Sequence, residues 1–437
     1  MFEILMILFY APFLFIYFLF PFFLERKNTL FYKINIFDIL IVNSVIHVNL
    51  LLFLSFLFIN SNYVFLIIFS ISFFFFILRF KNYFYLIKNN LIIFSTFFFI
   101  LICLFIRLAH DPILAWDGAH HWIMKAKVFF DGGYIKNIKG VMMDYYPHLG
   151  TYIWGFFWKN SYLQIEYFGR FLFVFFFIIC FFSCFYNLRV YPKLIKCGLI
   201  IALIYFSSDW QLFKGYQEYL LFFCFYVCSR IFVIFEKSNL IKKNVLFYIL
   251  LFGFTTNIFL WTKQEGFFHF IIINSVFLIH SKINFSYKFI YTSLILTFIL
   301  IFFLIKIYFF GSFHFHEDIL KPSLLENFNP TVFLTKLILI TKYIFISFFK
   351  NPIWLIILLS IIFLLKIKNI KSYFKENFFI ISFIFFEFCL IYAIFIFQSA
   401  DLSSLLPLTL SRVMFPISGF LIFIIYDTCY KMKKNFA

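Results

Sequence analysis

Long runs of apolar residues are the feature that most constrains the fold of this 437-residue chain. A helix needs about 20 mostly apolar residues to cross a bilayer, because hydrocarbon offers no partner to an unpaired backbone amide or carbonyl. The sequence therefore predicts an all-α polytopic membrane protein, with a single transmembrane domain over residues 1–437. About thirteen transmembrane helices are expected, at residues 4–24, 36–59, 62–79, 91–108, 166–187, 194–208, 216–236, 244–261, 266–280, 287–309, 353–366, 376–397 and 412–428.

The composition excludes the soluble classes of protein. Hydrophobic residues make up 64% of the chain and charged residues only 13%, whereas a typical soluble domain is about half apolar and about a quarter charged. The eight cysteines are scattered through apolar runs, without a CxxC pair or zinc-type spacing. They therefore predict neither a disulfide framework nor a zinc site.

The basic residues are concentrated in alternate loops between the predicted spans. Of the 37 Lys and Arg residues, 22 lie after the odd-numbered spans. Because Lys and Arg collect in cytoplasmic loops, the pattern predicts an N-terminus outside and a C-terminus in the cytoplasm. Topology then explains the net charge of +18, so we expect the lipid bilayer as a partner and no nucleic acid.

Two long loops are predicted on the outer side, at residues 109–165 and 310–352. Loops of this length are usually functional. Both contain amphipathic stretches, which predict helices lying in the membrane interface. We do not expect the apolar stretch 331–349 to span the membrane, because a span there would place the Lys-rich segment 366–375 outside.

The first outer loop carries most of the candidate chemistry. Asp117 follows the fourth span and stands beside Trp116, where partial dehydration would make a carboxylate a better base. Asp111 is its competitor, although an Asp-Pro pair more often starts a turn. His120 and His121 could bind a divalent metal with Asp117, or they could be interfacial hydrogen-bonding residues. The sequence 314–318, His-Phe-His-Glu-Asp, is a second weak metal candidate.

Further charged residues are predicted at the outer ends of three spans. They lie in the segments 214–218, 263–266 and 411–412, which open the predicted seventh, ninth and thirteenth spans. A charge at the edge of a bilayer is costly and indicates function by default, although a single one can anchor a helix by reaching the headgroups. Three such ends on one side of the membrane favour a shared polar cavity.

Four short motifs that combine charged, aromatic and small residues follow one another along the chain. The first is Trp-Asp-Gly-Ala-His-His-Trp-Ile-Met-Lys-Ala-Lys from residue 116, followed by Tyr-Pro-His at 146–148. The others are Gly-Tyr-Gln-Glu at 215–218, Lys-Gln-Glu-Gly at 263–266 and Ser-Arg-Val-Met-Phe-Pro at 411–416. In this order the motifs resemble a bacterial branch of the C-type (GT-C) glycosyltransferases, which are related to the dolichyl-phosphate-mannose protein mannosyltransferase families. Gln217, Glu218 and Gln264 depart from the pattern of that branch.

The resemblance implies a GT-C-like fold and a transferase that uses a polyprenyl-phosphate-sugar donor, commonly with inversion at the anomeric carbon. It implies Asp117 as the catalytic base, with the acceptor (a lipid, glycan or protein) presented on the extracytoplasmic face of a bacterial inner membrane. Arg412, Lys263, Lys125 and Lys127 are the candidates for binding the donor phosphate. The candidates for substrate binding are His120, His121, His148, Tyr146, Glu218 and Glu265.

The sequence leaves other function classes open. A transporter or a flippase for lipid-linked glycans also needs many spans and a few membrane charges, but transporters usually show internal repeats and charges near the midplane. A polysaccharide polymerase or ligase would need several outward arginines, and only Arg107, Arg170 and Arg412 are predicted to face outward. A non-catalytic membrane scaffold is the last alternative.

Overall fold

The structure is a computed structural model, and it describes residues 2–19, 35–186, 188, 191–208, 210–237, 245–281, 283–311, 329–365, 375, 377–397 and 401–434. These residues form helices and no strand. The α-helices are α1 (Phe2–Tyr17), α2 (Ile36–Ser55), α3 (Ser61–Leu78), α4 (Phe80–Asn89), α5 (Leu91–His110), α6 (Ile123–Phe130), α7 (Leu149–Lys159), α8 (Glu166–Tyr186), α9 (Lys193–Ser207), α10 (Glu218–Lys237), α11 (Val245–Thr262), α12 (Glu265–His280), α13 (Phe285–Phe310), α14 (Pro330–Lys350), α15 (Pro352–Leu365), α16 (Phe378–Ile396) and α17 (Leu402–Lys434).

Nine of the described helices are long and apolar enough to cross a membrane. Eight of them, α2, α3, α5, α8, α11, α13, α16 and α17, coincide with predicted spans. The other five predicted spans overlap α1, α9, α10, α12 and α15. Four of these helices have only 14 to 16 residues, and at 1.5 Å per residue they are about 21–24 Å long, shorter than the hydrocarbon core. The structure thus supports an integral membrane protein but does not confirm the count of thirteen.

The ninth long apolar helix is α14, which the sequence analysis assigned to the membrane interface. It begins where the Asn329 side chain accepts a hydrogen bond from the Thr331 amide at 3.0 Å, with Pro330 in the first turn, a favourable helix start. Its 21 residues have a mean hydropathy of 1.9 and meet the length of a membrane span. Neither property favours the interfacial assignment over a spanning one.

The chain divides into two compact units, residues 1–223 and 224–437, with the boundary inside α10. In the first unit, α8 is the central helix and packs against α2, α5, α7 and α9. Its residues from 167 to 185 are all buried. Phenylalanine rings fill the contacts, as in the stacked pair Phe105 and Phe171, whose centroids are 4.0 Å apart.

The second unit is built around α12, α16 and α17. Helix α12 packs against α11 and α16, and α17 packs against α14, α15 and α16. The rings of Phe383 and Phe420 stack at 3.9 Å between α16 and α17. Helix α17 begins at Leu402, upstream of Arg412, where the thirteenth span is predicted to start. Because Pro407 and Pro416 both lie within this helix, proline did not mark a boundary here.

Candidate functional site

Buried Arg170 joins the start of the first outer loop to the residue that precedes the segment 214–218, within the first unit. Its Nη2 donates to the Pro112 carbonyl at 2.7 Å and pairs with Glu166 Oε2 at 2.6 Å, and its Nη1 donates to the Phe213 carbonyl. Arg170 is only 1% exposed, and its guanidinium lies over the Trp154 ring. The forked guanidinium can satisfy several acceptors at fixed angles, so it holds the segment after α5 against the segment before α10.

Asp111, which is exposed, makes a second connection between the segment after α5 and the segment before α10. Lys214 Nζ donates to Asp111 Oδ2 at 2.8 Å, and the Ala115 amide donates to the Lys214 carbonyl at 3.1 Å. The hydrogen bond from Lys214 holds the pKa of Asp111 below its ordinary value. Asp111 is therefore a weaker base than a free carboxylate and is engaged in holding the loop.

Asp117 lies where the chain becomes helical again, directly before a π-helical turn, Gly118–Trp122, that continues into α6. The backbone at Gly118 lies close against the segment before α10. A Cβ at this position would lie 2.5 Å from the Lys214 carbonyl oxygen. Asp117 itself is partly buried. The junction between the two motif segments thus fixes the position of the Asp117 backbone.

The two histidines after Asp117 share one aromatic neighbour. His120 stacks on Trp116 with centroids 4.9 Å apart and interplanar angle 24°, and His121 meets the same ring edge-on at 4.9 Å. His120 Nδ1 also lies 2.9 Å from the Trp116 carbonyl oxygen. Trp116 is 61% exposed. The expectation that Trp116 would dehydrate Asp117 therefore lacks support, since this ring is exposed and packs on the histidines.

The two lysines predicted to bind phosphate in this loop have different surroundings. Lys125 is fully buried, donates to the Met143 carbonyl and lies over the rings of Trp122 and Tyr146 at 5.6 and 5.7 Å. Lys127, two residues on, is exposed. Met143 has a positive φ of 55°, a backbone conformation that is costly for a residue other than glycine. Lys125 thus holds the strained turn at Met143, and Lys127 is the more accessible cation.

Tyr146 and His148 also differ in accessibility. The Tyr146 ring meets Trp122 edge-on at 5.8 Å and is partly exposed. His148 is completely buried, with Nε2 2.7 Å from the Ser55 hydroxyl of α2. A substrate could reach Tyr146 but would have to displace the packing around His148. The structure thus gives His148 a packing role between α7 and α2.

The residues of the segment before α10 are mostly buried within the first unit. Gln217 and Glu218 are buried, and the Gln217 side chain lies on Gly150 of α7. Glu218 is the first residue of α10, where a carboxylate is stabilised by the partial positive charge of the helix N-terminus. The loop motif and the segment 213–218 therefore form one assembly in the first unit.

The second unit brings together the predicted residues Lys263, Glu265 and Arg412. Lys263 Nζ lies 3.6 Å from Glu265 Oε1, and Arg412 interacts electrostatically with Glu265. Lys263 is buried, whereas Glu265 and Arg412 are partly exposed. Lys263 thus pairs with a carboxylate on which the charge of Arg412 also acts.

The same cluster continues into the interior through two residues that the sequence analysis missed. His269 Nδ1 lies 2.8 Å from Glu387 Oε2, and both side chains are buried. His269 also interacts electrostatically with Glu265, which precedes it by four residues on α12. Glu387 is the tenth of the 19 residues of α16, so the cluster extends from the end of one helix to the middle of another.

The sequence does contain patterns that point to Glu387 and to the pair Glu166 and Arg170. Glu387 is the sole carboxylate in the apolar run 378–396, and an ionisable residue inside a span indicates a functional site. The spacing of four between Glu166 and Arg170 matches an ion pair on one helix face. The partner of Glu387, 118 residues away, could not have been found this way, because it depends on how α12 packs against α16.

The structure assembles no metal centre among the residues it describes: no group of three His, Cys, Asp or Glu side chains lies close enough to hold an ion. Asp117, His120 and His121 therefore do not form the metal site considered from the sequence. The candidate at 314–318 lies outside the described residues.

The comparisons with known proteins identify no relative. No protein-family model, no curated protein and no solved structure matches this chain.

Proposed function

We propose that the chain is an integral membrane glycosyltransferase that moves a hexosyl or pentosyl group from a polyprenyl-phosphate donor to an acceptor on the extracytoplasmic face. The observation that carries the proposal is the joining of the Asp117 loop to the segment 213–218 through Arg170 and Lys214. Two motifs that resemble the GT-C families, about 100 residues apart in the sequence, are neighbours in the first unit, because a Cβ at Gly118 of the first would lie 3.5 Å from the Gly215 Cα of the second.

In the proposed reaction, an acceptor hydroxyl attacks the anomeric carbon of the donor from the side opposite the phosphate. Asp117 accepts the hydroxyl proton, the bond from the anomeric carbon to the phosphate oxygen breaks, and the lipid phosphate leaves as an anion. Such a leaving group needs stabilisation of its negative charge more than it needs a proton. The candidate cations are those that the motif resemblance implies, and among them Arg412 suits a bidentate contact to phosphate oxygens.

The structure favours Asp117 over Asp111 as the base. Asp111 forms an ion pair with Lys214, which lowers its pKa, so its affinity for a substrate proton is reduced. Lys127, Tyr146 and His120 are the accessible residues of the loop and are proposed to contact substrate. Lys125 and His148 are buried behind them and are proposed to support the loop.

The test compares two substitutions of the same type in the same loop. Membranes carrying the wild type, Asp117→Asn or Asp111→Asn are assayed with radiolabelled polyprenyl-phosphate sugars. Loss of a general base typically lowers turnover by about 10²–10⁴-fold, so Asp117→Asn should lose that factor while donor binding stays intact. A dead Asp111→Asn beside an active Asp117→Asn would move the base upstream, and full activity in both would remove the single-carboxylate mechanism.

A transporter or flippase of lipid-linked glycans is the second candidate. The buried His269–Glu387 pair favours it, because Glu387 lies midway along an apolar helix and transporters place charges near the bilayer midplane. Proteoliposomes that contain a fluorescent lipid-linked sugar would separate the two functions. A flippase would move the lipid between leaflets without changing it, and this movement would depend on Glu387.

A further inference from the structure

Helix α4 is a short helix between two helices that are long enough to cross a membrane. It follows the end of α3 at Leu78 and precedes the start of α5 at Leu91. Its ten residues, at 1.5 Å per residue, make it about 15 Å long, half the thickness of a hydrocarbon core. Because a helix of this length cannot cross a bilayer, α4 joins the two candidate spans at the membrane surface.

One side of α4 combines exposed aromatic rings with lysines. Phe84 is 56% exposed, and its ring stacks on that of Phe80, which is also exposed, with the centroids 5.9 Å apart. Lys81 precedes Phe84 by three residues and Lys88 follows it by four, and both lysines are exposed. Since residues three and four apart are neighbours on a helix surface, the two lysines border the aromatic pair. Exposed apolar rings beside lysines are typical of helices that lie in the membrane interface.

Packing against α3 fixes the direction in which these side chains point. Tyr83 is the buried residue of α4, and its ring stacks on that of Phe76 in α3, with the centroids 5.6 Å apart. The Phe76 ring also meets the Phe80 ring edge-on at 5.8 Å. Helix α4 contacts α5 as well. With Tyr83 held against α3, Phe84 and the two lysines lie on the outside of the first unit.

A third lysine reaches α4 from a segment about 100 residues further along the chain. Lys193 is the first residue of α9, and its Nζ donates a hydrogen bond to the Asn89 carbonyl at the end of α4. A cation is favourable there, because the carbonyl groups at a helix C-terminus carry a partial negative charge. Lys193 is itself exposed. We call Phe80, Lys81, Phe84, Lys88 and Lys193 the α4 basic surface.

Charge and topology together indicate what this surface meets. Neither residues 79–90 nor residues 191–197 include an Asp or a Glu, so both segments add only positive charge. Both follow odd-numbered predicted spans, and the alternation of basic residues predicts that both lie on the cytoplasmic side. The cytoplasmic leaflet carries anionic lipids, which attract lysines beside a membrane span. An anionic phospholipid offers a phosphate to the lysines and acyl chains to the aromatic rings.

We propose that the α4 basic surface binds an anionic phospholipid of the cytoplasmic leaflet. The lysines contact the headgroup, and the rings of Phe80 and Phe84 pack against the acyl chains. A zwitterionic lipid with the same chains would make the second contact but would gain little from the lysines, because its headgroup has no net charge. The site therefore selects lipids by headgroup charge. It does not depend on the proposed transferase reaction.

The test measures which lipids lie beside α4 in the full-length protein. Tyr85→Cys places a single cysteine at an exposed position, four residues from Lys81 and three from Lys88, in a background without the eight native cysteines. The cysteine is labelled with a fluorophore, and the protein is placed in phosphatidylcholine vesicles. These contain a minor fraction of nitroxide-labelled phosphatidylglycerol or phosphatidylcholine as the quencher. Phosphatidylglycerol should be enriched around the fluorophore over phosphatidylcholine by at least about fivefold, the effect of one lysine near the membrane surface.

Substitutions assign this preference to the lysines. The double variant Lys81→Gln, Lys88→Gln should lose most of the enrichment, while quenching by phosphatidylcholine stays unchanged because the aromatic rings keep α4 in the interface. The matched control Lys136→Gln, Lys139→Gln removes two exposed lysines from the first outer loop and should keep the full preference. High salt screens exposed charges, so it should reduce the preference of the protein with all its lysines, which tests the site without altering them.

Three results would overturn the proposal. The first is equal quenching by the two lipids in the protein with all its lysines. The second is a preference that survives the Lys81, Lys88 double substitution or that is lost equally in the outer-loop control. The third is absence of quenching by either lipid, as an acidic partner protein covering α4 would produce. A preference that depends on Lys81 and Lys88 would establish the lipid site whether or not the protein transfers sugar.

Discussion

At the scale of single residues, Arg170 holds two loop segments of the first unit together, and it also pairs with Glu166. Removing one partner of a buried ion pair costs about 3–5 kcal/mol, and we expect the lower end for Arg170→Ala because Glu166 is 19% exposed. Arg170→Lys keeps the charge but not the fork and should recover about half of the loss. Unfolding titrations of the purified protein in detergent would measure the free energy of unfolding of both variants.

Arg107→Ala is the matched control for that measurement. Arg107 is exposed and lies over the Phe213 ring at 4.8 Å, so it touches the same segment without a buried ion pair. We expect a loss below about 1 kcal/mol, as for other exposed cation–π contacts. Equal losses for Arg107→Ala and Arg170→Ala would show that Arg170 does not hold the two segments together.

The lowered pKa of Asp111 gives a pH prediction. A carboxylate whose pKa is depressed on folding stabilises the folded state above its ordinary pKa of about 4, and the contribution is lost as pH falls through the lower folded value. Asp111 is therefore ionised throughout pH 5–8. The pH–rate profile of Asp111→Asn should keep the wild-type shape in this range, and a new inflection between pH 5 and 8 would show that Asp111 titrates during turnover.

At the scale of helices and turns, close backbone contacts at glycine fix how elements cross. A Cβ at Gly155 of α7 would lie 2.4 Å from the Ala126 carbonyl of α6. Overpacking of this kind costs about 1–3 kcal/mol. Gly155→Ala should therefore destabilise the first unit by that amount and lower transferase activity, because α6 continues directly from the Asp117 turn.

Gly198→Ala provides the control for the helix-crossing prediction. Gly198 lies in α9, and a Cβ there would meet nothing within 4 Å. Alanine loses less conformational entropy on folding than glycine, so this substitution should stabilise the protein by about 0.4–1 kcal/mol. Unfolding midpoints measured side by side test both; a stabilised Gly155→Ala protein would show that α6 and α7 do not cross as closely as described.

The positions of the helices were more predictable than their roles. Apolar runs predicted eight of the nine long apolar helices described, because each run is bounded by polar residues. Arg412 was placed at a helix start for the same reason, but α17 continues upstream through Pro407. A charged residue ends an apolar run in the sequence, whereas a helix needs only its backbone hydrogen bonds and can continue past it.

At the scale of the whole molecule, motif order names candidate site residues, but it does not give the contacts among them. Motif order identified Asp117, Lys263, Glu265 and Arg412, and the structure places the last three in one cluster. It could not identify the junction made by Arg170 or the His269–Glu387 pair. Both depend on side chains that meet across packed helices, and uniformly apolar helices carry little periodicity from which to infer the contacting face.

Topology is the whole-molecule property on which the proposed reaction depends. The alternation of 22 basic residues predicts that the loop containing Asp117 faces outward and that the segment 366–375 faces the cytoplasm. Helix α14 introduces a competing arrangement, because its length and hydropathy meet those of a membrane span. If it crossed the membrane, the segment after α15 would change sides.

Cysteine labelling in intact cells distinguishes these arrangements, using single cysteines placed in a background from which the eight native cysteines have been removed. A cysteine replacing exposed Lys136, in the first outer loop, should react with a membrane-impermeant reagent. One replacing Lys371 should react only after the membrane is opened. Reaction at both positions in intact cells would place α14 across the membrane, and protection at position 136 would remove Asp117 from the side on which the acceptor is proposed to bind.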